Sequence, residues 1–223
     1  MNSYVRKNVV SISFGTTLSK LAGCIRQIFI AAAFGIGITY DAFNYAYIIP
    51  GFLLIIIGGI NGPLHNAVVA VITPLNKRDG GIVLTKISIK LTLILFVLAL
   101  FIYFYAGFFI NLLGPNLSTE TKSIASSQLR ILTPCIPLSA FIGLSFGALN
   151  SRNKFFISSL SPSITSITTI LFILIGWILN HQNTNLSSFF NTGLLAFATL
   201  TGTCFQLIIQ IWEINKIGLL NFN

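Results

Sequence analysis

Acidic residues are almost missing from this chain. Four Asp and Glu stand among 223 residues, and charged residues of both signs make up 8%. A soluble globular domain carries about 25% charged residues, so this sequence has too little polar surface to cover itself in water. The same scarcity removes most enzyme chemistry. With four carboxylates and two histidines, acid–base catalysis has almost nothing to draw on. There is no nucleophile–base pairing, no HExxH, no phosphate-binding loop and no carboxylate dyad inside an apolar run. The chain is therefore read as a non-enzyme. Cysteine is equally sparse: Cys24, Cys135 and Cys204 lie far apart in apolar segments, without CxxC or His spacing. They read as small buried hydrophobes, and no metal or cofactor is implied.

Long apolar runs fill the space. Hydrophobic residues are 54% of the chain, Phe occurs 20 times, and mean hydropathy is +0.87. The 13 Lys and Arg give a net charge of +9, which invites a nucleic-acid reading. That reading fails because the cations sit singly or in pairs between apolar runs and form no continuous patch. The class that remains is an integral membrane protein.

A transmembrane helix needs about 20 mostly apolar residues to cross about 30 Å of hydrocarbon. Six segments reach that length: Val9–Phe34, Ala42–Ile72, Ile87–Leu113, Ile124–Leu149, Phe155–Leu179 and Ser187–Trp212. A β-barrel would need strands of about 10 residues alternating with period two, and Leu91–Leu100 does not alternate. The connections Gly35–Tyr40, Pro74–Gly81, Gly114–Thr121, Asn150–Lys154 and Asn180–Asn185 read as short loops. Arg6 and Lys7 before an apolar stretch suggest a signal peptide, but Lys20 and Arg26 interrupt it. With a cytoplasmic N-terminus, nine cations fall on the inner side: Arg6, Lys7, Lys77, Arg78, Lys86, Lys90, Arg152, Lys154 and Lys216. Lys122 alone falls outside, and the bias puts both termini in the cytoplasm. Anionic lipid accounts for the inner cations without a special partner.

The first span is rich in small hydroxyl residues: Ser11, Ser13, Gly15, Thr16, Thr17 and Ser19. Such residues belong where helices pack closely or line a polar cavity. Lys20 falls near mid-membrane, and Arg26 about 9 Å further along the helix. A cation at the helix centre costs about 2.5–3.5 kcal/mol on insertion scales, tolerable beside water or an anion. The two are about 120° apart around the helix, so both could border a broad cavity without forming one clamp. The plainer alternative has Arg26 snorkelling outward and Lys20 meeting a carboxylate. Asp41 opens the second span, and its plain reading is an N-cap. Arg130 reads as an interfacial snorkeller, and His65 as a hydrogen-bonded core histidine. Pro50, Gly51, Gly58, Gly59, Gly62 and Pro63 interrupt the second span; Pro134, Pro137, Gly143 and Gly147 interrupt the fourth. Broken helices are tolerated where freed backbone lines a cavity, a habit of transporters.

Three stretches carry a family resemblance. Ser19-Lys20-Leu21-Ala22-Gly23-Cys24-Ile25-Arg26 followed by Ala33-Phe34-Gly35 resembles the S-R-x-x-G-x-x-R-(D/E)…F-G segment of the MurJ/MviN lipid II flippases. Thr39-Tyr40-Asp41-Ala42-Phe43 to Pro50 resembles their D-A-F…P segment. Gly147-Ala148-Leu149-Asn150 through Phe155 to Ser161-Pro162 is similar to their G-x-x-L-N…F…A-P segment. These proteins belong to the multidrug/oligosaccharidyl-lipid/polysaccharide exporter superfamily, and the resemblance covers essentially the whole chain.

The resemblance implies an all-α membrane protein in which residues 1–223 form one six-helix lobe of a two-lobe exporter fold. It implies a transporter in a bacterial inner membrane, carrying undecaprenyl-diphosphate-linked peptidoglycan precursor to the outer leaflet by alternating access. Arg26 and Lys20 would line a cationic cavity and meet the diphosphate or its sugars, Lys20 replacing the family's usual arginine. Asp41 matches an aspartate of functional weight. The chain departs from the family in the second span, where Phe52–Ile57 carries no basic residue. It also holds about six spans where the family has roughly fourteen, so a second lobe or a homodimer is expected as partner. The alternatives are a truncated, non-transporting remnant or structural partner of cell-wall machinery, or another polysaccharide-lipid or drug exporter of the superfamily.

Overall fold

The computed structural model describes residues 3–60, 62–182 and 187–219. Among the described residues every regular element is helical. They are α1 (Ser3–Phe34), α2 (Ile38–Ile56), α3 (Pro63–Ile72), α4 (Lys77–Phe104), α5 (Ala106–Leu113), α6 (Thr119–Leu132), α7 (Cys135–Ser151), α8 (Phe155–Leu160), α9 (Pro162–Gln182) and α10 (Ser187–Lys216).

Among the described residues four helical stretches are long and apolar enough to cross a membrane: Val9–Phe34, Lys77–Phe104, Phe155–Leu179 and Thr192–Lys216. A fifth forms if α6 and α7, bent by 44°, count as one span. The expected second span, Ala42–Ile72, is instead two helices separated between Ile56 and Pro63. Gly58, Gly59 and Gly62 give that segment its freedom, and Pro63 takes the first turn of α3, where its missing N–H costs nothing.

Several expected loops are shorter than the sequence suggested. Asn76 caps α4, so Lys77–Gly81 is already helical, with Asp79 favourably placed in the first turn. Ser118 starts α6 inside the expected Gly114–Thr121 loop; its Oγ accepts the Thr121 N–H at 3.1 Å. Gly35, at φ +55°, ends α1. Gly37 then caps α2, which places Asp41 in the first helical turn and corrects its reading as the N-cap. Residues 180–182 belong to α9, while residues 183–185 of the last expected loop lie outside the described residues, as do the Arg6 and Lys7 side chains.

Helix α7 is the centre of the bundle. Thirteen of its 17 residues are buried, and it packs against α2, α3, α4, α8 and α10. Small residues permit this. A Cβ on Gly143 would collide with the Ile57 carbonyl, and one on Gly147 would stand 2.5 Å from Val68 Cβ. The broken segment between α2 and α3 is thus seated on a small-residue face of α7, where its carbonyls approach too closely for any side chain. Helix α1 is its opposite. It meets α8 through Gly15 and Ser19, whose Oγ donates to Ser159 O at 2.7 Å, and also packs on α9. Phe14, Leu18, Leu21, Ile25 and Ile28 are all exposed.

Candidate functional site

Two adjoining cavities lie inside this bundle. The larger, about 390 Å³, opens between α1, α2, α7, α9 and α10; Arg26, Tyr47, Gly58, Thr165, Thr203 and Gln206 are among its walls. The smaller, about 80 Å³, is bounded by Arg26, Tyr40, Asn44, Tyr47, Thr169 and Thr199 among others. Arg26 and Tyr47 belong to both walls.

Arg26 is half-buried, and its Nε is enclosed without a hydrogen-bond partner among the described residues. It has no ion-pair partner among the described residues, where Lys154–Glu213 is the single pair. A guanidinium held this way lacks both a counter-charge and the full set of acceptors for its planar fork. An anionic oxygen entering either cavity would supply them in surroundings where a charge-assisted bond is strong.

The other two candidates stand elsewhere. Lys20 and Asp41 are exposed, and neither lines these cavities. The structure therefore brings Arg26 to a cavity and leaves Lys20 and Asp41 on the open surface of α1 and of the α2 start. Arg130 is exposed at the end of α6. His65 is 7% exposed and held on both ring nitrogens: Nδ1 lies 3.1 Å from Asn66 Oδ1, and Asn150 Nδ2 lies 2.7 Å from Nε2. It is a hydrogen-bonded core histidine joining α3 to α7.

A polar seam behind the cavities escaped the sequence reading. On α10, Thr199, Thr203, Gln206, Gln210 and Glu213 are buried at alternating four- and three-residue steps. They face Thr165 and Ser161 across the α9 side: Thr165 Oγ1 donates to Gln206 Oε1 at 3.0 Å, and Gln210 Nε2 donates to Ser161 Oγ at 2.9 Å. The α10 backbone comes so close that a Cβ on Gly202 would stand 2.8 Å from Thr165 Cα. The upper part of the seam, Thr199 to Gln206, forms cavity wall. The lower part ends at Glu213, whose carboxylate meets Lys154 at 3.3 Å. The signal was the heptad-like spacing of polar residues inside an apolar run, visible once the period is counted.

The family of lipid II flippase MurJ matches residues 30–222. A probable lipid II flippase MurJ of Synechocystis sp. is 38% identical over 210 residues, covering 93% of this chain and 39% of that relative. The lipid II flippase MurJ of Thermosipho africanus is 32% identical, covering 73% of this chain and 34% of its own length. A solved structure of lipid II flippase MurJ in an inward closed conformation superposes with a TM-score of 0.76 at 28% identity, covering 93% of this chain and 42% of that one. The chain thus spans about two fifths of the length of the relatives it matches. Matched over most of its length in sequence and in fold, the chain belongs to the lipid II flippase MurJ family.

Proposed function

We propose that this chain is the N-terminal lobe of a flippase that moves undecaprenyl-diphosphate-linked peptidoglycan precursor from the inner to the outer leaflet of a bacterial inner membrane by alternating access. It transports and does not catalyse. Its six spans pair α2 with α3, α4 with α5, α6 with α7 and α8 with α9, leaving α1 and α10 as single helices. Both termini face the cytoplasm, as the distribution of Lys and Arg requires. A second lobe, or a second copy, closes the cavity from the other side, because one lobe cannot rock against nothing.

The observation that carries this reading is Arg26, a cation with an enclosed, unpartnered Nε on the shared wall of two cavities. Diphosphate oxygens are the natural complement of such a group. Lys20, exposed about 9 Å away along α1, and Asp41, at the start of α2, serve the same substrate where it emerges from the lobe. Since Phe52–Ile57 adds no cation, more of the anion's binding rests on Arg26 than in relatives with a basic second span.

The test is precursor flipping in cells that depend on this protein. Hydrogen bonds to charged groups are worth about 1.5–3 kcal/mol, so Arg26→Ala should cut flipping by roughly ten- to a hundredfold. Arg26→Lys should retain part of it. Unchanged flipping in Arg26→Ala, with the protein present at normal level, would sink the proposal.

A further inference from the structure

Lys86 and Lys90 are exposed one turn apart on α4, a helix that contributes no residue to either cavity. At 100° per residue the two lysines lie about 40° apart. Each is about 160° around the helix from Leu84 or Ser88, members of the stripe that α4 buries against its neighbours. Among the described residues neither has a hydrogen-bond or ion-pair partner. The uncharged run Leu91–Leu113 begins immediately after Lys90. Carried by the rest of α4 and by α5, with a break at Tyr105, it reaches up to about 34 Å at the helical rise, close to the thickness of the hydrocarbon layer. Lys90 therefore stands at the edge of the hydrocarbon and Lys86 one turn deeper into the headgroup zone.

The neighbours of these lysines decide what can reach them. Ile82, Ile87, Ile89 and Leu93 are exposed beside them, Ile89 and Leu93 by more than 60%. A soluble polyanion would leave these side chains in water, whereas a lipid covers them with its acyl chains while its phosphate meets the ammonium groups. A second anchor lies close by. Leu219, just beyond α10, packs on Gly80 and Gly81 of α4, which brings the α10 end to the α4 start. There Lys216 Nζ sits 5.3 Å from the exposed Trp212 ring, a pairing suited to the headgroup level. The α4 start and the α10 end thus form one basic, aromatic-flanked edge.

We infer that Lys86 and Lys90 form a docking site for the phosphate of an anionic phospholipid, whose acyl chains lie along the exposed isoleucines and leucine of α4. The site is independent of the transported substrate and does not depend on which leaflet the α4 start faces.

The test is a binding titration of the purified chain in neutral detergent with fluorescent phosphatidylglycerol and fluorescent phosphatidylcholine, read by anisotropy. A basic residue near an anionic surface contributes about fivefold in affinity. Wild type should favour phosphatidylglycerol, and Lys86→Gln/Lys90→Gln should lose at least fivefold of that preference with phosphatidylcholine binding unchanged. Lys86→Arg/Lys90→Arg should keep it. Should the glutamine variant not fold, the wild type decides: 0.5 M salt must weaken phosphatidylglycerol binding and spare phosphatidylcholine. Equal affinity for the two lipids, an unchanged preference in the glutamine variant, or no salt dependence overturns the site. None of these outcomes alters the flipping measured with Arg26 variants.

Discussion

Lys154 Nζ stands 3.3 Å from Glu213 Oε1, tying the turn between α7 and α8 to the last turns of α10. The carboxylate side chain is 3% exposed and the lysine 43%, so the two partners are not equivalent. Removing the lysine leaves a buried charge uncompensated; removing the carboxylate frees a lysine that already reaches water. Lys154→Met should lower stability by about 2 kcal/mol, less than the roughly 3–5 kcal/mol of a fully enclosed pair. Glu213→Gln should cost less than half of that. Thermal unfolding of both variants in detergent checks the asymmetry, and equal losses would contradict it.

The contact between α7 and the α2–α3 break allows a sharper comparison. Gly143→Ala drives a methyl into the Ile57 carbonyl, a backbone atom that cannot step aside. Overpacking of this kind costs about 1–3 kcal/mol, and the rigid neighbour places it at the upper end. Gly107→Ala meets nothing within 4 Å and should be neutral or gain up to about 1 kcal/mol from helix propensity. Paired thermal melts of the two variants give the sign of each effect directly.

Among the three candidate substrate residues, exposure sets an order. Arg26 is half-buried at the cavity wall, whereas Lys20 and Asp41 are exposed. Flipping in cells should therefore fall most with Arg26→Ala and several-fold less with Lys20→Gln or Asp41→Asn. A Lys20→Gln loss as large as that of Arg26→Ala would mean that the substrate is gripped on the open surface of α1 and not inside the lobe.

Gln210 is wholly buried, yet among the described residues its Oε1 has no partner. Its one side-chain bond goes to Ser161 Oγ, which also donates to Ser158 O at 3.3 Å. Gln210→Met removes an unsatisfied acceptor along with that bond and keeps the volume, so stability should change by less than about 1 kcal/mol. His65→Ala is the contrast. It strands Asn150 Nδ2, empties a packed site and should cost about 2–4 kcal/mol. Chemical denaturation of both variants separates a spare polar contact from a required one.

Much of this architecture was legible from periodicity and punctuation. Gly58, Gly59, Gly62 and Pro63 announce a broken second span, and the uncharged Leu91–Leu113 run announces a crossing, because a backbone in lipid must satisfy its own hydrogen bonds. Helix starts were less legible. Asn76, Gly37 and Ser118 each begin a helix earlier than hydropathy suggests, since hydropathy is blind to the non-helical cap residue; of the three, Ser118 alone adds a side-chain bond. The cavity was half legible: Arg26 declares itself by its cost in the membrane. Thr165, Thr203 and Gln206 do not, because a Thr or Gln in a span is equally at home in any helix contact.

What the sequence by itself determined is the class of the molecule and its rough crossing pattern. Four acidic residues in 223 cannot clothe a water-soluble surface, and that holds for any packing of the chain. What only the tertiary structure decided is which polar groups meet. Lys20 and Arg26 look alike along α1, yet one faces outward and the other closes a cavity with Tyr47 from α2 and Thr165 from α9. Residues nearly 50 apart, Gln210 and Ser161, or 59 apart, Lys154 and Glu213, come together across the α8–α9 and α10 contact. Helix periodicity sets the angle of a side chain about its own axis; the rotation of that axis against its neighbours depends on close packing at Gly15, Gly143 and Gly202, which no single helix contains.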